Sequence, residues 1–166
     1  MYYGYSERKN IEAVYLKGDF GVKVNGDNVS LITLPKKLRI GDICEQGLPF
    51  YSAKLTYKIP LEEGNYNVTL PKTYAAINYV RGREDCCPVA FIPYSANVSV
   101  DNHLYIDCVF TRRNTFGPLH YYPKHRGTCS SENYYSTGSS FSLEYQVIEQ
   151  GLLSEPKIEK VIKNER

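Results

Sequence analysis

Apolar and polar residues alternate with a period of two along almost the whole chain, and that rhythm leaves little room for helices. Tyr51, Ala53, Leu55, Tyr57 and Ile59 alternate with Ser52, Lys54, Thr56 and Lys58 until Pro60 ends the run. Successive side chains of an extended chain point to opposite faces, so such a run buries one face and wets the other. Glu63-Gly64 then supplies turn chemistry, and Tyr66, Val68 and Leu70 return with the same phase. This pattern predicts a hairpin of the two runs.

The same reading extends in both directions. Phe20, Val22 and Val24 reach a turn at Asn25-Gly26, and Val29 to Leu34 runs on to Pro35. Val98 and Val100 alternate with Asn97 and Ser99, and a short Asp101-Asn102 turn leads into Leu104, Ile106, Cys108 and Phe110. Near the end Phe141, Leu143, Tyr145 and Val147 alternate with Ser142, Glu144 and Gln146, which predicts a strand with the apolar set inward. Helical spacing with caps is not sustained anywhere; Lys157 to Lys163 comes nearest. The expected fold is all-β, roughly eight to ten short strands in a two-sheet β-sandwich or jelly roll. It is expected to be one domain over residues 1–166, with 157–166 as an exposed C-terminal tail. Two segments break the rhythm: a charged loop at Arg81–Pro88, and about twenty residues rich in Tyr, Ser and Gly from Tyr121 to Ser140.

Composition removes several function classes. Twenty basic residues against 18 acidic ones give a net charge of +2, no electrostatic case for nucleic acid or an acidic membrane surface. No apolar stretch reaches the length of a transmembrane helix, and no signal-peptide pattern opens the chain. Five cysteines (Cys44, Cys86, Cys87, Cys108, Cys129) form an odd set with an adjacent pair and no C-x-x-C spacing. They read as reduced thiols of a cytoplasmic protein rather than a disulfide framework or zinc site. Asn-Val-Ser/Thr triplets at Asn28, Asn67 and Asn97 read as ordinary strand composition.

The most specific local chemistry lies just past the Leu104 strand, where Arg112, Arg113, Asn114, a Gly117-Pro118 turn and His120 crowd together. Polar groups at a strand end place donors where something must be held. Catalysis is not expected of them: no Gly-x-Ser-x-Gly or His-Glu-x-x-His motif includes His103, His120 or His125. Glu62-Glu63 and Glu84-Asp85 read as solvated turn and loop acids rather than a glycosidase pair. Gly18, Gly21 and Gly26 are turn glycines, not a phosphate loop. Sugar contact remains open, because Tyr121, Tyr122, Tyr134 and Tyr135 offer ring faces beside Arg112, Arg113, Asn114 and His120. The competing reading is structural: Arg113 and Asn114 satisfy loop carbonyls, Phe116 plugs the end of the fold, and the rings pack on the chain or a neighbour. No cofactor is expected; a structural calcium ion on a loop stays open, since sandwiches of this type can carry one, although no cluster of Asp with carbonyl-rich turns stands out.

Several segments resemble the C-terminal β-sandwich of large bacterial glycoside hydrolases, of the galactose-binding-domain type. They are Ile11–Val22, Gln46-Gly47-Leu48-Pro49-Phe50-Tyr51-Ser52, Ala90-Phe91-Ile92-Pro93-Tyr94, Arg112-Arg113-Asn114-Thr115-Phe116-Gly117-Pro118-Leu119-His120 and Gly151–Pro156. The Pro-Phe-Tyr and Arg-Asn-Thr-Phe-Gly-Pro-Leu-His elements are the specific ones. The resemblance implies a non-catalytic jelly-roll accessory domain attached to a catalytic domain lying upstream in the same polypeptide. Domains of that family either bind sugar or brace the enzyme, so sugar contact through the long loop stays open. The sequence departs from that pattern at Arg81–Cys87, where the family has a short turn. The alternatives are an autonomous carbohydrate-binding module and a free-standing structural jelly roll, such as a capsid or fibre component.

Overall fold

The computed structural model describes residues 15–124, 127 and 129–162, and these form an all-β chain of antiparallel sheets with almost no helix. The first pair is a hairpin, β1 (Phe20–Asn25) with β2 (Asn28–Thr33), as the alternation predicts. Its two-residue loop begins at Gly26, whose φ of 64° suits the tight hairpin turn that a glycine permits. Every residue of β2 is exposed, Leu31 and Val29 included.

Two larger sheets follow. One has the order β3 (Lys54–Pro60), β9 (His103–Val109), β6 (Ile77–Arg81), β7 (Cys86–Val89). The other has the order β11 (Lys157–Lys160), β4 (Gly64–Thr69), β8 (Ser95–Val100). Their inner faces share one core: Val80, Leu104, Ile106 and Cys108 from the first meet Val68, Val98 and Val100 from the second. Each of the Val, Leu and Ile side chains among these contributes about 1.5–3 kcal/mol by leaving water. A two-stranded ladder of β5 (Thr73–Tyr74) and β10 (Gly151–Leu152) completes the strands.

The expected hairpin of Tyr51–Ile59 with Tyr66–Leu70 does not form. β3 pairs with β9, Leu55 opposite Cys108, whereas β4 pairs with β8 and β11. Both runs bury apolar faces, but from opposite sides of the core. The turn therefore carries the chain from one sheet to the other, and the Asn102 carbonyl takes the Leu61 N–H at 3.1 Å where the crossing begins. The Asp101-Asn102 turn likewise links strands of different sheets.

Three further expectations are corrected. Lys157–Lys160, read as a tail, is an edge strand with Ile158 opposite Val68; it escaped notice because only Ile158 is apolar. Residues 163–166 lie outside the described residues. The charged loop at Arg81–Pro88 is shorter than expected, because Arg81 pairs with Cys86 and the hairpin turn is only Gly82–Asp85. That turn lies against β8: Arg83 N–H donates to the Ser99 carbonyl at 2.7 Å, and Asp85 accepts the Ser99 N–H at 2.9 Å. The Arg83 guanidinium also bonds Asp101 and Glu63, tying both crossovers to the turn, so Asp85 and Glu63 are bonded rather than free in solvent. Finally, Phe141–Val147 forms no strand beyond an isolated bridge of Tyr121 with Phe141. Leu143 is exposed, and the buried side chains are Gln146, Ile148 and Gln150, the opposite phase.

Candidate functional site

Strand β9 delivers Phe110 into the core and ends in a single helical turn, α1 (Arg113–Phe116). The turn points Asn114 inward, where it is 1% exposed. Its Nδ2 donates to the Ile148 carbonyl at 2.7 Å, and its Oδ1 accepts the Ile148 N–H at 2.9 Å. One amide thus satisfies both main-chain groups of a residue buried without a ladder partner, which would otherwise cost free energy.

The rest of the corner serves the same segment. Asp42 Oδ1 accepts the N–H of Gln150 at 2.9 Å and that of Cys44 at 3.0 Å. Ile43 N–H donates to the Gln150 carbonyl, and Gln146 N–H to the Leu119 carbonyl. The Cys44 thiol reaches the Ile148 carbonyl at 3.3 Å. Burial, reinforced by the Asp42 carboxylate, pushes that thiol's pKa well up, so it stays a protonated donor. The His120 Nδ1–H donates to the Ser142 carbonyl at 2.9 Å, and the ring packs at 4.8 Å from Tyr145. Thr115 Oγ1 donates to the Phe50 carbonyl at 3.0 Å, fixing α1 against the Pro-Phe-Tyr segment.

What faces outward at this corner is aromatic. Phe116 does not plug the fold: it is 45% exposed, with Tyr15 edge-on at 5.0 Å and the Arg112 guanidinium 5.9 Å above its ring. Its own position in α1 puts it on the side away from Asn114. The Tyr134 hydroxyl bonds the Phe116 carbonyl, and the neighbouring Tyr135 stacks on Tyr121 with ring centres 5.7 Å apart. Tyr122 is exposed beside them. The candidate residues therefore divide. Asn114 and His120 are bonded into the frame, and Arg113 is half-buried with them. Arg112, Tyr122, Tyr134 and Tyr135 are exposed with Phe116 and Tyr15, an aromatic shelf to which half-buried Tyr121 adds by stacking on Tyr135. Within the long loop, His125, Arg126 and Thr128 lie outside the described residues, as do 11–14 of the first resembling segment.

A polar cluster that the sequence reading passed over sits on the outer face of the four-stranded sheet. Asp107 is only 3% exposed there; Arg81 Nε and Nη2 bond its carboxylate at 2.9 and 3.1 Å, Thr56 Oγ1 at 2.7 Å, and Lys54 Nζ at 3.4 Å. Burial alone would raise its pKa. The Arg81 fork, the Thr56 hydroxyl and Lys54 outweigh that and hold the carboxyl below the usual carboxylate range. The signal was available as a lone acid in the middle of an apolar strand, which is seldom buried unless paired. Among the described residues no three His, Cys, Asp or Glu side chains gather closely enough to hold a metal ion.

Set against known protein families, curated proteins and solved structures, the chain matches none of them.

Proposed function

We propose that this chain is a non-catalytic accessory domain of a glycoside hydrolase, a jelly roll of galactose-binding-like type that braces the catalytic domain of the same polypeptide. The observation that carries the reading is the division of the Arg112–His120 corner. Its amide, hydroxyl and imidazole groups bond the chain's own carbonyls and N–H groups, while its rings stay on the surface. A corner built this way positions an aromatic shelf. Exposed aromatic rings suit both the apolar face of a sugar and a neighbouring protein surface. Bracing is the primary role, and sugar contact through the Tyr121–Tyr135 shelf is the secondary one. The resemblance of the Pro-Phe-Tyr and Arg-Asn-Thr-Phe-Gly-Pro-Leu-His segments supports the glycosidase setting.

The encoding DNA upstream of Met1 tests the accessory role. An in-frame glycosidase barrel is the expected result, and an in-frame stop codon adjoining Met1 contradicts it. The purified chain is expected to hydrolyse no aryl glycoside; turnover that survives purification to constant specific activity contradicts the non-catalytic reading. On a broad glycan panel, sugar binding that Tyr134→Ala and Tyr135→Ala abolish would add the secondary role, whereas a flat response leaves bracing alone.

A further inference from the structure

Strand β3 is an edge of the four-stranded sheet, and among the described residues no strand pairs with its outer side. Phe110 N–H donates to the Ala53 carbonyl and Leu61 N–H to the Asn102 carbonyl, which sets the phase of the β3–β9 ladder: odd-numbered residues of β3 bond to β9. In an antiparallel ladder the intervening residues turn their main-chain groups the other way. Thr56 and Lys58 thus point N–H and C=O away from β9, and among the described residues nothing bonds these four groups. At one end the register is closed off, because the Tyr51 hydroxyl donates to the Lys54 carbonyl at 2.9 Å.

A groove of about 480 Å³ runs along this edge, walled on its far side by the loop Pro35–Ile40. The wall is held in place by Gln46, whose amide donates to the Arg39 and Asp42 carbonyls at 3.1 Å and accepts the Arg39 N–H at 2.9 Å. Leu38, Ile40 and Ile59 give the groove an apolar side; Lys36, Arg39 and Lys58 give it positive charge, and among the described residues no acidic one lines it.

We infer that the β3 edge is a docking site for an extended acidic segment of another polypeptide, which adds to the sheet as a further strand beside β3. Main-chain bonds to Thr56 and Lys58 would hold such a segment, as in other strand additions, and its alternating side chains would set specificity. The side chains of β3 alternate between the Leu55, Tyr57, Ile59 face and the Lys54, Thr56, Lys58 face. An added strand alternates with them, so the preferred segment carries aliphatic residues on the first face and carboxylates on the second. An exposed edge of this kind is ordinarily blunted or covered. This inference does not rest on the accessory role.

The probe is a fluorescent peptide of about eight residues alternating glutamate with valine, set against its lysine-valine counterpart and a copy N-methylated at alternate residues. Binding is followed by fluorescence anisotropy and by backbone amide shifts. The glutamate peptide is expected to bind, shifting the Thr56 and Lys58 amides, with affinity falling at least about tenfold on N-methylation and again in about 0.5 M salt. Lys36→Glu with Arg39→Glu alters exposed side chains only, so the fold survives, and the same tenfold loss is expected there. Absence of saturable binding by the glutamate peptide overturns the inference. So does equal binding of the N-methylated or lysine peptide, or amide shifts that map away from β3.

Discussion

Asp107 and Cys108 are adjacent in β9 and live in opposite environments, because neighbouring residues of a strand face opposite sides. Asp107 lies under Arg81, Thr56 and Lys54 on the outer face. Its folded pKa is depressed, so its contribution to stability is present above the carboxyl's unfolded pKa and is lost as pH falls through the folded one. The free-energy gap between the native protein and Asp107→Asn is expected to be constant above about pH 5 and to shrink below about pH 4. A gap that grew on acidification would contradict the pairing; urea unfolding at several pH values measures it. Cys108 points into the core, where burial pushes its thiol pKa up to about 12. With the protein reduced, Ellman's reagent is expected to label exposed Cys86 first and Cys108 only as the chain unfolds. Fast labelling of Cys108 in the native state would contradict its placement.

At the scale of elements, the Gly82–Asp85 turn shows what a charged insertion can do. A Cβ on Gly82 would come within 2.0 Å of the Ser99 carbonyl oxygen, so only glycine lets the turn lie on β8. Gly82→Ala is expected to cost about 1–3 kcal/mol by forcing the turn off the second sheet. Arg83→Ala removes an exposed ion cluster and is expected to cost less than Gly82→Ala. Chemical denaturation of both variants checks the order, and the reverse order would show that charge, not close approach, holds the clip. The element scale is also where the legibility of the chain changes. The β1–β2 hairpin was readable because Asn25-Gly26 and the flanking alternation are local signals. The partners of β3 were not, since period two says which face is buried but not which strand lies alongside. The alternation over 141–147 points to the wrong phase because the inward side chains of this stretch and its continuation include Gln146 and Gln150. The Gln146 amide bonds the Ser142 hydroxyl and the Glu144 carbonyl, which offsets the burial of a polar group that hydropathy counts as outward.

Over the whole molecule, residues far apart in sequence meet at the corner: the loop at 41–44, the turn after β9, and the extended segment 146–152. The sequence marked that corner as special through its density of polar groups. It did not say whether they faced inward or outward, because a single helical turn of four residues sends Asn114 and Phe116 to opposite sides. The Tyr15–Phe116 contact joins positions about a hundred residues apart and has no local signature. At this corner the polar groups are frame and the rings are surface. The decisive measurement is thermal unfolding of Asn114→Ala. Loss of the amide strands the Ile148 N–H and leaves its carbonyl only the Cys44 thiol, and a cost of about 2 kcal/mol is expected, a fall in Tm of roughly 4–8 °C. An Asn114→Ala protein that melts with the native one would contradict the claim and make Asn114 a contact residue.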